Sequence, residues 1–334
     1  MHDAINSLPP QTAPETLSVQ IRSSRFQSVE LAEAFGHRLA DYVRNISRII
    51  NLSRLDGITF ASDYDNALLQ LDRGFPTNNQ LEATKNLFGE GVAMTPMVIR
   101  DGILKWHIIL DERVFYSLDS YNEMDEISFQ NSLRALYLLA HECGHVHDGT
   151  AFDMAFPGKL GKPYGTCREK ILFDPMLTVW QEYAATRLAA PFCKDFILSG
   201  TETLVVESLK NAIGDVHAGI TRYRLHGDLS RLLMESGGAA FAPIRYLGYF
   251  FGEIDGMNID FEQCHVVFDE ISLNNLYYNI SLRLHSELER LWQTYGEWHS
   301  FNIFDKFQQI AFDLYDGVGI HMYPLSDGNF YISV

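Results

Sequence analysis

Apolar residues recur every three or four positions between Ser28 and Leu52, with Leu31, Phe35, Leu39, Val43 and Ile46 on one face, and this period predicts an amphipathic helix. The pattern then changes. DGITFASDY, opened by Asp56-Gly57, is a short β-branched and aromatic run that predicts a strand. In MTPMVIRDGILKWHIILDERVF two apolar runs flank Asp101-Gly102, a pair that tolerates the two positive φ angles of a type I′ turn, so a hairpin is expected. Asp125 or Ser128 is placed to cap a long helix running to His147, with Gly149 placed to end it.

From Gly149 to Pro175 the chain is rich in Gly, Pro and Lys, which predicts a long connection of the kind that tends to be functional or disordered. TVWQEYAATRLAAPF reads as a helix stopped near Pro191. Beyond Cys193 helical periodicity dominates, over about 202–224, 227–235, 239–253, 274–298 and 300–315, before a closing hairpin around Asp327-Gly328. The expected fold class is α+β: an N-terminal domain over 21–195 with a small sheet, then a mainly α-helical lobe over 196–334. Residues 1–20, rich in Pro, Gln and Thr, are expected to form a disordered leader.

Composition narrows the function classes. A chain of 334 residues exceeds what one core usually serves, which agrees with two domains. The formal net charge of -17, with no basic stripe to offset it, argues against direct nucleic-acid binding and against anionic membranes. No apolar segment approaches the ~20 residues that span a bilayer. The start has neither a basic n-region nor an apolar h-region, so no secretory signal is read there. Cys143, Cys167, Cys193 and Cys264 follow no Cys-x-x-Cys spacing and read as free thiols in a reducing, cytoplasmic setting.

Candidate chemistry lies in LLAHECGHVHDG, Leu138 to Gly149. His141-Glu142-Cys143-Gly144-His145 fits H-E-x-x-H. On a helix, His141 and His145 project from one face and can share one Zn²⁺, while Glu142 points aside, free to act as a general base. Cys143 faces elsewhere and reads as a core thiol. A catalytic zinc typically takes a third protein ligand. Glu182 is the best candidate, on a helix whose Ala185 and Ala189 could pack closely on Ala140 and Gly144. Asp148, Asp153, Asp174 and His147 are weaker candidates, the last because it lies on another helix face.

The H-E-x-x-H helix followed by EYAATRLAAP, an E-x-x-A helix ending in Pro, resembles the ImmA/IrrE-like metallopeptidases of the gluzincin group, over about residues 28–193. The resemblance implies a zincin core and peptide-bond hydrolysis on a protein or peptide substrate. It implies His141, His145 and Glu182 as zinc ligands and Glu142 as the base. Two features depart from it. Thr186 stands where many gluzincins carry an Asp that orients a ligand histidine, leaving Asp148 or Asp153 for that role. The lobe from about 196 onward is not covered.

Tyr164, Tyr183, His217 and His226 are the candidates for stabilising an oxyanion, with no basis in sequence for choosing among them. The strand Lys105–Leu110 is expected to offer an edge to an extended substrate. Lys159, Lys162, Arg168 and Lys170 form a basic group that reads better as a solvated loop than as a substrate guide. Three functions are consistent with these residues: a cytoplasmic zinc endopeptidase, a non-catalytic zinc-binding module whose C-terminal lobe binds a partner, and an enzyme gated by the 149–175 segment. An intact Glu142 favours the first and third. Nothing in the sequence fixes the oligomeric state.

Overall fold

The computed structural model describes residues 8–86, 89–119, 125–160, 165–192, 198–326 and 329–334. The protein is mixed α and β, with a small five-stranded sheet near the N-terminus and a helical C-terminal region. It divides into two compact units, Met1–Thr150 with Leu188–Phe196, and Ala151–Arg187 with Ile197–Val334.

In the first unit, β1 (Ser18–Arg22), β2 (Leu55–Ala61) and β5 (Ile103–Asp111) run parallel, with Val19 opposite Ile58 and Ile58 opposite Ile108. Strand β1 starts inside the expected 1–20 leader, whose first seven residues lie outside the described ones. Between β1 and β2 the chain crosses over through α1 (Val29–Ile46). Ser28 caps α1 by accepting from the Leu31 N–H; Phe35, Leu39, Val43 and Ile46 are buried, as the period predicts, whereas Leu31 of the expected face is exposed in the first turn. Phe35 meets Phe60 of β2 at 4.7 Å between ring centroids.

Two short strands, β3 (Ala93–Met94) and β4 (Met97–Arg100), pair antiparallel with β5 on its other side. The β4–β5 hairpin turns at Asp101 (φ 52°) and Gly102 (φ 75°), the two positive angles a type I′ turn requires. One expectation fails here. Lys105–Leu110 is not an edge, because β5 is paired with β2 on one side and with β3 and β4 on the other, so its backbone groups are already spent.

His107 of β5 is 6% exposed and bridges the parallel strands. Its Nδ1 lies 3.0 Å from Asp56 Oδ2 and its Nε2 2.9 Å from Thr59 Oγ1. Gly57 leaves room for the ring: a Cβ there would sit 3.2 Å from His107 Cε1.

The long helix α3 (Glu126–Ala155) follows, with the Asp125 carboxylate accepting from the Ser128 N–H at 2.9 Å. It does not stop at Gly149. A Cβ at that position would lie 2.4 Å from the Trp106 ring, so Gly149 serves close packing on β5 and not helix termination. Its partner α4 (Cys167–Ala189) also begins earlier than the apolar pattern suggests. Thr166 and Glu169 form a reciprocal capping box, each backbone N–H bonded to the other's side chain. The expected 149–175 connection shrinks accordingly to 156–166, of which 161–164 lie outside the described residues.

The second unit contains α5 (Leu198–His226), α6 (Gly238–Met257), α7 (His265–Ser272), α8 (Asn275–Gln293) and α9 (Asp305–Gly317). The segments expected at 227–235 and 239–253 join into one helical run through a π-turn at Leu233–Gly237. Helix α7 is an element the pattern does not announce. Phe152, Phe156, Phe173, Trp180, Trp298 and Phe304 form an aromatic core, with Trp180 and Trp298 5.4 Å apart. A final hairpin pairs β6 (His321–Pro324) with β7 (Phe330–Ser333), and its expected turn residues Asp327-Gly328 lie outside the described residues. No helix among the described residues is long and apolar enough to cross a membrane.

Two stability outcomes follow from this packing. Gly149→Ala should cost about 1–3 kcal/mol, read from urea unfolding, because the added methyl group meets a rigid indole; an unchanged midpoint would contradict the contact. His107 is held below its ordinary pKa chiefly by burial, against the pull of Asp56. The folded chain therefore binds fewer protons there than the unfolded chain, whose value is ~6.5. Its contribution is whole above that pH and is lost as pH falls through and below it. His107→Gln should therefore show a smaller drop in urea midpoint than wild type between pH 7.5 and 5.5, and equal drops would rule the linkage out.

Candidate metal centre

The α-helical period sets the first two positions. His141 and His145 lie one turn apart on α3, with Nε2 atoms 3.1 Å from each other and rings at 89°. Two donors on a tetrahedral ion with bonds of ~2.0–2.1 Å stand about 3.3 Å apart, so the pair is already at nearly the spacing a shared ion needs. Glu182 of α4 completes the group: His141, His145 and Glu182 each offer one ligand atom, and these atoms all lie within 4.8 Å of one another. Two neutral imidazoles and one carboxylate are a donor set that divalent transition metals take. The residues fit such an ion, and they include the three named from the sequence.

Glu142 is outside that group. It is 7% exposed, and its Oε2 accepts from the Thr95 hydroxyl at 2.6 Å. Thr95 lies in the connection between β3 and β4, 47 residues earlier in the chain. Nothing in the local pattern marks it, since its role exists only once the hairpin is laid beside α3. One Glu142 oxygen is thus fixed by a neutral donor.

The other candidates among the described residues lie outside that group. His147 is turned from the pair, accepts from the Asn51 N–H at 2.9 Å, and is pushed down to about 4 by burial. Cys143 is fully buried, and desolvation pushes its thiol pKa up, then the charge of Glu142. Asp153 accepts from the Gly158 N–H at 3.1 Å. Asp148 and Thr186 are buried, at 1% and 0% exposure. Of the oxyanion candidates, Tyr183 gives its hydroxyl to Asp255 at 2.6 Å, His217 and His226 are exposed, and Tyr164 lies outside the described residues. In the basic group, Arg168 stacks over Phe312, and Lys162 lies outside the described residues.

Sequence reasoning also missed Tyr64. It is 5% exposed, and among the described residues its hydroxyl has no hydrogen-bond partner. Burial raises its pKa first, and the charges of Glu142 and Asp111 raise it further.

A second set with metal-like composition, Asp255, His285 and Glu289, lies in the helical unit. Its chemistry differs. The Asp255 carboxylate already receives the Tyr183 hydroxyl, Arg187 Nη1 at 3.1 Å and His285 Nε2 at 2.9 Å. A guanidinium at that distance supplies the positive charge an ion would bring. The set is an ion-paired junction of α4, α6 and α8, with His285 stacked on Phe251 at 4.3 Å.

The first group gives a direct measurement. Purified protein reconstituted with zinc should hold about one equivalent by elemental analysis. Glu182→Ala should weaken it roughly 10–100-fold, and Glu142→Gln should leave it unchanged. Tight binding that survives Glu182→Ala would remove Glu182 from the ligand set. Comparison of the chain with protein-family models, curated proteins and solved structures gives no match, so the functional reading rests on the chemistry of these residues.

Proposed function

We propose that the protein is a zinc-dependent peptidase, with His141, His145 and Glu182 as ligands and Glu142 as the general base. The observation that carries this reading is a division of labour within five residues. Two imidazole nitrogens converge at 3.1 Å with a carboxylate from a second helix, while the intervening Glu142 stays out of the ligand group and is held by Thr95. A purely structural metal site has no use for that arrangement, since it fills all four positions with protein ligands and needs no adjacent base. The resemblance of HECGH and EYAATRLAAP to the ImmA/IrrE-like metallopeptidases and their zincin core supports the same reading.

The metal, when bound, supplies Lewis-acid polarisation of a carbonyl and a water acidified to near neutrality. The chain's own residues do the rest. The Thr95 hydroxyl bonds Oε2 of Glu142, which orients Oε1 as the proton acceptor. Glu142 takes a proton there and returns it to the leaving amine. His141 and His145 serve as neutral donors, and the negative charge of Glu182 offsets part of the ion's. The sheet ends on this side at β3, next to Thr95, and an extended peptide adding to that edge would lie along the connection that holds the base. That edge replaces Lys105–Leu110 as the docking strand. The substrate is accordingly a protein or peptide in extended form. Cys143, Cys167 and Cys264 are free thiols, which supports a cytoplasmic setting.

The test is hydrolysis of a mixed fluorogenic peptide pool by zinc-loaded protein, blocked by a chelator and restored by zinc. Glu142→Gln should lower the rate about 10²–10⁴-fold at unchanged zinc content. Thr95→Val should lower kcat roughly tenfold, because the base loses its fixed orientation. A Glu142→Gln variant as active as wild type would end the proposal.

A further inference from the structure

Helix α6 approaches α4 unusually closely, because two glycines face it. A Cβ at Gly248 would lie 2.8 Å from the Val179 carbonyl oxygen, and one at Gly252 would lie 2.6 Å from that of Tyr183. Val179 and Tyr183 bracket Glu182 on α4, so the face of α6 carrying Gly248 and Gly252 is the face laid against the Glu182 turn. Arg245 and Tyr249 are on that face, at i−3 from Gly248 and i−3 from Gly252.

Arg245 is half-buried, with its guanidinium 5.4 Å from the Tyr246 ring centroid. It has no ion-pair partner among the described residues. Burial works against its charge, but Tyr249, Tyr246 and Glu182 outweigh that and raise its pKa. The cation is therefore permanent and lies within electrostatic reach of the Glu182 carboxylate without pairing to it. Partial burial of an unpaired guanidinium is costly, and the two tyrosines offset only part of the cost. A guanidinium presents a fork of N–H donors matched to a carboxylate. Tyr246 hydrogen-bonds to this side chain, and no carboxylate among the described residues pairs with the rest of the fork.

We propose that Arg245 is a specificity-determining residue that takes a carboxylate of the substrate, so that the preferred peptides carry an acidic side chain or a free C-terminus near the scissile bond. The proposal rests on the peptidase reading and deepens it: the metal group sets the reaction, and Arg245 selects the class of peptide. It also resolves an apparent conflict of charge. A chain with a net charge of -17 repels acidic peptides in general, and a sheltered cation at the site admits them only in one register.

The experiment uses the full-length zinc-loaded protein and two small probes, acetohydroxamate and succinate monohydroxamate, which chelate alike and differ by a carboxylate. Wild type should bind the carboxylate-bearing probe roughly tenfold or more tighter. Arg245→Gln should bind both equally while holding the same zinc, and Arg245→Lys should keep part of the preference. Competition by Ala-Ala-Ala, its amide, and N-acetyl-Ala-Glu-Ala-amide then identifies the source of the carboxylate, chain end or side chain.

No preference in wild type, or a preference that survives Arg245→Gln, would overturn the proposal. Equal loss of both probes in Arg245→Gln would overturn it too, by placing the cation on the chelating oxygens instead. Loss of zinc in Arg245→Gln would assign it to holding Glu182. Failure of the peptidase reading looks different: wild type would then hold no zinc and bind neither hydroxamate.

Discussion

The site depends on how closely helices can be brought to their neighbours, and glycine sets that distance. Gly149 lets α3 lie directly on Trp106 of β5, where any side chain would strike the indole at 2.4 Å. Gly248 and Gly252 let α6 rest on the α4 backbone at Val179 and Tyr183. The first contact fixes α3, which carries His141, Glu142 and His145, on β5, and the second pair fixes α6 on the turn of α4 that carries Glu182. An ångström of slack would be enough to break a 2.6 Å hydrogen bond or spread the ligand atoms beyond an ion's reach. Packing, in this protein, is a precondition of the candidate metal group.

Charge placement sorts groups that composition alone cannot. His141, His145 and Glu182, like Asp255, His285 and Glu289, combine imidazole and carboxylate groups, and both sets are tight enough to hold an ion. The second set contains Arg187 at 3.1 Å from Asp255, and Tyr183 donates to the same carboxylate. Its charge is already balanced, so it ties three helices together. The first set sits beside a second carboxylate, Glu142, whose Oε2 accepts from the neutral Thr95 hydroxyl.

Errors in the linear reading have specific physical sources. Gly149 has two uses, ending a helix or allowing close approach, and only the position of Trp106 distinguishes them. The start of α4 was legible in principle, because Thr166-Cys167-Arg168-Glu169 is a capping box, yet the surrounding Gly, Pro and Lys mask it. Pro175 reinforces the impression of a loop, although the helix runs through it. Lys105–Leu110 looks like an edge when only its hairpin partner is known. Its second neighbour, β2, pairs in parallel from about 50 residues earlier, and such pairing leaves no local trace.

What the sequence determined by itself is local: the amphipathic face of α1, the Asp101-Gly102 turn, the capped start of α3, and the convergence of His141 and His145 with Glu142 set aside. Each follows from a fixed period or a fixed pair of dihedral angles, so a few neighbouring residues suffice to state it. Tertiary structure alone decided the rest. It brought Glu182 to the histidines, put Thr95 on Glu142, spent Tyr183 on Asp255, and left Arg245 facing the Glu182 turn. These partners lie tens of residues apart in the chain. Their meeting is fixed by which helices can approach and which strands pair, quantities that arise from the packed whole and that no single stretch of sequence contains.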